Sequence, residues 1–159
     1  MSYKNHVMAK EMKVEDIIEI DAPMEKVWEA LTSPEWTKKY MFNCAVESDW
    51  KLGSPVLWKM EHEGQVIIPV KGNVEEIELG KRLKYSVIDP NMDIEDIPEN
   101  YLHVTYILEA VDKGRTRLTV IQDGYEHAAR GAERYDEAVK AGGWSSILQM
   151  IKELLEKQG

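Results

Sequence analysis

The chain has 159 residues, 43% hydrophobic and 31% charged, with 20 Lys and Arg against 29 Asp and Glu for a formal net charge of −9. That length fits one domain spanning residues 1–159, able to bury roughly 70% of the surface its unfolded form exposes, and the composition shows neither repeats nor low-complexity tracts. The negative charge repels a phosphate backbone, and the basic residues stay in short pairs such as Lys38-Lys39 and Lys81-Arg82, which excludes nucleic acid as a partner.

In chain order, residues 12–20 alternate, with Met12, Val14, Ile18 and Ile20 on one face and Lys13, Glu15 and Glu19 on the other. That is the pattern of a half-buried strand, and Asp16 breaks its inward set. DAPMEKVWEAL then changes period: Pro23 suits a first helical turn, Asp21 lies near the cap, and Val27, Ala30 and Leu31 form a helical stripe. Ser33 and Pro34 open a second short helix that runs to about Tyr40.

From Phe42 to Gln122 strands alternate with turn chemistry at LGSP, HEGQ, ELGK and DKGR, the signature of a meander. Alternation gives inward sets Val56, Trp58, Met60; Val66, Ile68, Val70; Leu83, Tyr85, Val87; Val104, Tyr106, Leu108; and Leu118, Val120. Ile67, Ile107 and Ile121 fall on the outer face, where another element or a partner chain would cover them, and a homodimer stays open on that ground. The final segment, from about Ala128 to Lys157, reads as helix interrupted at Gly142-Gly143. Its last part carries Trp144, Ile147, Leu148, Ile151, Leu154 and Leu155 on one side, a stripe that needs a broad apolar surface. The order is an α+β arrangement in which helices share one face of an antiparallel sheet.

No apolar run is long enough to span a membrane, and MSYKNHVMAKEMK lacks the apolar centre of a secretory signal. The one cysteine, Cys44, excludes an internal disulfide and reads as a small buried hydrophobe. A cytoplasmic location without membrane insertion is the expectation.

The runs IDAPMEKVWEALTSPEWTKKYMF, VESDWKLGSPV, TRLTVIQDGYE and GGWSSILQMIKELLE resemble the single-domain proteins related to the activator of the ninety-kilodalton heat-shock protein's ATPase, within the START-like, birch-pollen-allergen-like (SRPBCC) superfamily. The resemblance implies a helix-grip fold: a seven-stranded antiparallel sheet curved around a long C-terminal helix, two short helices between strands 1 and 2, and a cavity between helix and sheet. The superfamily holds lipid carriers, polyketide cyclases, hormone receptors and co-chaperone domains. The eukaryotic activator has a separate N-terminal domain for chaperone binding, and only about a dozen residues precede the first strand here, which argues against chaperone contact.

Read without the family, Trp58, Tyr85, Tyr106 and Trp144, with Trp36 and Tyr40 near the small helices, make an inner surface whose aromatics each carry a polar atom in need of a partner. Either they pack a solid core or they border a pocket. Methionines such as Met41 and Met60 suit collapse or adaptable binding. Together with Leu148 and Ile151 of the terminal stripe, these residues form the candidate ligand-binding set.

No HExxH, CxxC, GxSxG or phosphate-cradling glycine loop occurs, and the histidines at 6, 62, 103 and 127 read as surface or rim residues, so neither a metal nor a cofactor is expected. DPNMDIEDIPEN starts like a calcium loop but puts Ile94 where glycine belongs and Asn100 where a bidentate glutamate belongs, leaving a solvated acidic loop that could cover a pocket mouth. Asp16 with Tyr85 and Tyr106 is the only proton-transfer constellation, and it names no catalytic residue. Three readings follow: a carrier or sensor of a small hydrophobic or amphipathic ligand, lipid-like or polycyclic; a small cyclase or hydrolase using the same cavity; and a chaperone-cofactor or stress-response interaction protein. The first accounts best for the inward aromatics.

Overall fold

Among residues 12–158, which the computed structural model describes, seven strands and four helices alternate in a fixed order. They are β1 (Val14–Ile20), α1 (Met24–Thr32), α2 (Pro34–Tyr40), β2 (Ala45–Glu47), β3 (Pro55–His62), β4 (Gln65–Glu78), β5 (Arg82–Val87), β6 (Leu102–Asp112), β7 (Arg115–Asp123), α3 (Gly131–Lys140) and α4 (Ser145–Gln158). His6 and residues 1–11 of the stretch read for a signal lie outside that range. None of the described helices is long and apolar enough to cross a membrane.

The strands form one antiparallel sheet in the order β1-β7-β6-β5-β4-β3-β2, so everything after β2 is a meander and β1 closes against the last strand. This is the helix-grip architecture. α1 buries Val27, Ala30 and Leu31, and α2 buries Thr37 and Tyr40. Pro34 is the first residue of α2 and Ser33 takes the cap position, though its side chain makes no capping bond. Tyr40 Oη donates to Ala30 O at 2.7 Å and Val46 N donates to Thr37 Oγ1 at 3.0 Å, which fastens the helical pair together and to β2.

The expected interruption at Gly142-Gly143 is a complete break: α3 ends at Lys140 and α4 starts at Ser145, with φ of 86° and 61° at the two glycines. α4 buries Leu148, Ile151 and Leu155 and packs on β1, α1 and α2. It is fastened to β1 at both ends. Trp144 N donates to Asp16 Oδ2 at 2.9 Å at its start; near its end Lys152 Nζ donates to Glu19 O at 2.8 Å and Asp21 N donates to Glu156 Oε2 at 2.9 Å. The Lys152 ammonium and the Asp21 N–H both hold the Glu156 carboxyl below its ordinary range.

β4 is the strand that bends. From Gln65 to Asn73 it pairs with β3 and from Val74 to Glu78 with β5, with a register shift on each side, between Trp58 and Met60 and between Val74 and Glu76. Such bulges bend a strand and raise its twist. The first shift corrects the inward set Val66, Ile68, Val70: Val70 lies opposite Trp58, but Ile67 lies opposite Met60, and Val66 is 63% exposed. Gly72 makes the bend possible, since a Cβ there would stand 1.6 Å from Ser86 O.

Candidate functional site

The curl of β3 and β4 leaves space over the inner face of the sheet. A cavity of about 340 Å³ lies there, between the strands and the residue that precedes α4. β3 supplies Trp58 and Met60, β4 Pro69 and Val70, β5 Tyr85 and Val87, β6 Val104 and β7 Gln122. Met41, Phe42 and Cys44 come from the turn after α2, and Trp144 closes the remaining side. Tyr85, Val104 and Trp58 are buried and form the closed end, whereas Phe42, 75% exposed with φ of 51°, stands at the open end.

The walls are almost wholly apolar, and their few polar atoms are mostly engaged. Tyr85 and Tyr106 hydroxyls meet at 3.0 Å, Trp144 Nε1 donates to Gln122 Oε1 at 2.9 Å, and Cys44 Sγ approaches Phe42 O at 3.7 Å. Trp58, Tyr85, Tyr106 and Trp144 form a chain of rings with centroids 6.4, 5.8 and 6.0 Å apart, the last pair edge to face. Burial pushes the hydroxyls of Tyr40, Tyr85 and Tyr106 above the ordinary phenol value, because a phenolate there would lose its hydration. The Cys44 thiol moves up for the same reason.

Of the candidate set, Met41, Trp58, Met60, Tyr85 and Trp144 line this cavity. Tyr40, Tyr106, Leu148 and Ile151 are each about 1% exposed and serve as core behind it. Trp36 lies away from the lining, with Lys39 Nζ 4.9 Å above its ring. Val70, Val87 and Val104 border the cavity and were legible as inward by alternation, but nothing in their residue type separated cavity wall from core. Phe42 and Pro69 carried no such signal, being placed by the corner after α2 and by the register shift in β4, whereas Gln122 continues the inward phase of Leu118 and Val120.

Two other expectations change. Asp16 is in phase with the inward residues because its carboxylate meets the Trp144 N–H, and it is not part of the lining. The acidic stretch 89–100 does not cover the mouth; no residue of it lines the cavity, and it is held elsewhere by Lys71 to Asp96, Tyr101 to Asp96, Arg130 to Asp93 O and Ala129 N to Asn100 Oδ1. His62 and His127 are exposed and His103 Nδ1 sits 2.6 Å from Glu75 Oε1, away from the cavity. A wider depression of about 540 Å³ between α2, β2 and β3 is open and half polar, lined by residues such as Glu35, Asp49 and Trp50.

The Activator of Hsp90 ATPase homolog 1-like family model matches residues 21–156. The solution structure of ChR145 from Cytophaga hutchinsonii is similar at 36% identity and a TM-score of 0.69, covering 92% of this chain and 94% of that one. PFC0360w, an HSP90 activator from Plasmodium falciparum, shares the fold at 17% identity and a TM-score of 0.65, over 91% and 96% of the two chains. CalU16 from Micromonospora echinospora does so at 17% identity and a TM-score of 0.61, over 89% and 73%. No curated protein matches the chain.

Proposed function

The chain belongs to the Activator of Hsp90 ATPase homolog 1-like family, and from that premise we propose that it binds a small hydrophobic or amphipathic molecule, as carrier or sensor, in the cavity beneath Trp144. The carrying observation is the cavity itself. A pocket of about 340 Å³ lies in the size range of small-molecule sites, and water that enters at its open end does so at a cost in hydrogen bonds. Walls this apolar give water few partners, so an apolar guest is the occupant that relieves the cost. A fold that commonly binds hydrophobic ligands supports the same reading.

The proton-transfer alternative gains nothing from the geometry. Asp16 is engaged by a backbone amide, and the buried phenols hold their protons more tightly than free tyrosine.

The test is a thermal-shift and tryptophan-fluorescence titration with a neutral apolar probe, N-phenylnaphthylamine, and with fatty acids, flavonoids and steroids. A guest at a hundredfold excess over its Kd raises stability by about 2.7 kcal/mol and so lifts Tm by several degrees. If every compound leaves both melting and fluorescence unchanged, the proposal fails.

A further inference from the structure

The hydrogens around the cavity do not balance its acceptors. Tyr85 and Tyr106 bring two hydroxyl hydrogens to one hydrogen bond, so one hydrogen of the pair has no acceptor among the described residues. Tyr85 borders the cavity and Tyr106 does not, so a guest reaches the spare hydrogen when Tyr106 donates to Tyr85 Oη, one of the two directions the 3.0 Å contact allows. Gln122 repeats the pattern. Its Oε1 accepts from the indole N–H of Trp144, a donor-only group that fixes the amide's orientation, and its Nε2 hydrogens meet no acceptor among the described residues. The Trp58 indole N–H, also at the lining, meets none among the described residues either.

Strand register brings two of these donors together. Tyr85 lies opposite Val104, and Val104 lies opposite Gln122, so the three form one row across β5, β6 and β7 on the same face. With strands about 4.8 Å apart, Tyr85 and Gln122 flank Val104 at a backbone separation of roughly 10 Å, spanned by their side chains. Among the described residues no charged side chain lines the cavity, so an anionic guest would lose its hydration without a counter-charge from them.

Resting on the carrier reading above, we propose that the guest is a neutral carbonyl compound, a ketone, quinone or ester on an apolar frame, with its carbonyl oxygen over Val104 between the Tyr85 hydroxyl and the Gln122 amide. The spare donors then favour a carbonyl compound over a hydrocarbon of equal size.

Fluorene and fluorenone, one ring system without and with the carbonyl, test this by fluorescence titration and infrared spectroscopy. Wild type binds both, and the carbonyl stretch of fluorenone moves down on binding. Tyr85→Phe weakens fluorenone by about three- to tenfold, the range of one hydrogen bond, while fluorene changes less than about twofold. Gln122→Leu acts in the same direction and serves if Tyr85→Phe does not fold. In either variant the carbonyl band moves back up. Equal responses of the two compounds, or an unshifted carbonyl band in wild type, overturn the proposal while the carrier reading stands. Failure of both compounds to bind wild type counts against that reading and removes this one with it.

Discussion

Asp16 shows how one side chain answers a question posed by its neighbours. A carboxylate in the inward phase of a strand would ordinarily lie in solvent or at a bulge, yet here it takes the Trp144 N–H at 2.9 Å and sits where a Cβ on Gly143 would come within 2.6 Å. The first amides of a helix have no partner within the helix, and a negative group is favoured at that end. Asp16→Ala therefore lowers stability by about 1–2 kcal/mol in urea unfolding, with Asp16→Asn losing less than half of that because the amide oxygen still accepts. If the alanine variant is as stable as wild type, the contact carries no weight. Alternation made Asp16 visible as an inward residue; its partner lies 128 positions away and no local pattern points to it. Gln122 likewise falls in the inward phase of Leu118 and Val120, while its partner, the Trp144 indole, reaches it from across the fold.

Elements were more legible than residues. Turn signals placed the hairpins correctly: β3 and β4 join at Glu63-Gly64, β6 and β7 at Lys113-Gly114. The period change at DAPMEKVWEAL located α1, and the glycine pair located the break before α4. β4 resisted because alternation assumes an unbroken pleat, and two register shifts move successive residues to the other face. Those shifts also make the cavity, so the feature that defeats pattern reading is the one that creates the site. Gly72 tests the bend. Gly72→Ala drives a methyl into the Ser86 carbonyl and costs at least about 3 kcal/mol, whereas Gly64→Ala, which meets nothing within 4 Å but has φ of 80°, costs about 1–2 kcal/mol. Equal melting temperatures for the two variants would show that β5 yields and that the bend does not depend on a missing side chain.

Across the whole molecule, one buried cluster joins the sheet, the helices and the aromatics between them. Tyr40, Tyr85 and Tyr106 all keep their protons more tightly folded than unfolded, where a phenol titrates near 10.0. Their stabilising effect is thus complete below about pH 10 and declines as pH rises toward the folded values, because the unfolded chain loses protons first. Each contributes a loss of up to about 1.4 kcal/mol per pH unit in that window. Alkaline unfolding should coincide with the appearance of phenolate absorbance from all three; phenolate signal that precedes unfolding would mean water already reaches them. The attachment of α4 to β1 and to the turn after it bears on how the proposed guest would enter. A rod riveted at its two tips cannot swing open like a door. Traffic is left to the short corner at Met41 to Cys44, where Phe42 and Asn43 hold φ of 51° and 66°. Exchange of the proposed guest would then keep the pace of that corner, past the curved, open-edged sheet that forms the opposite wall.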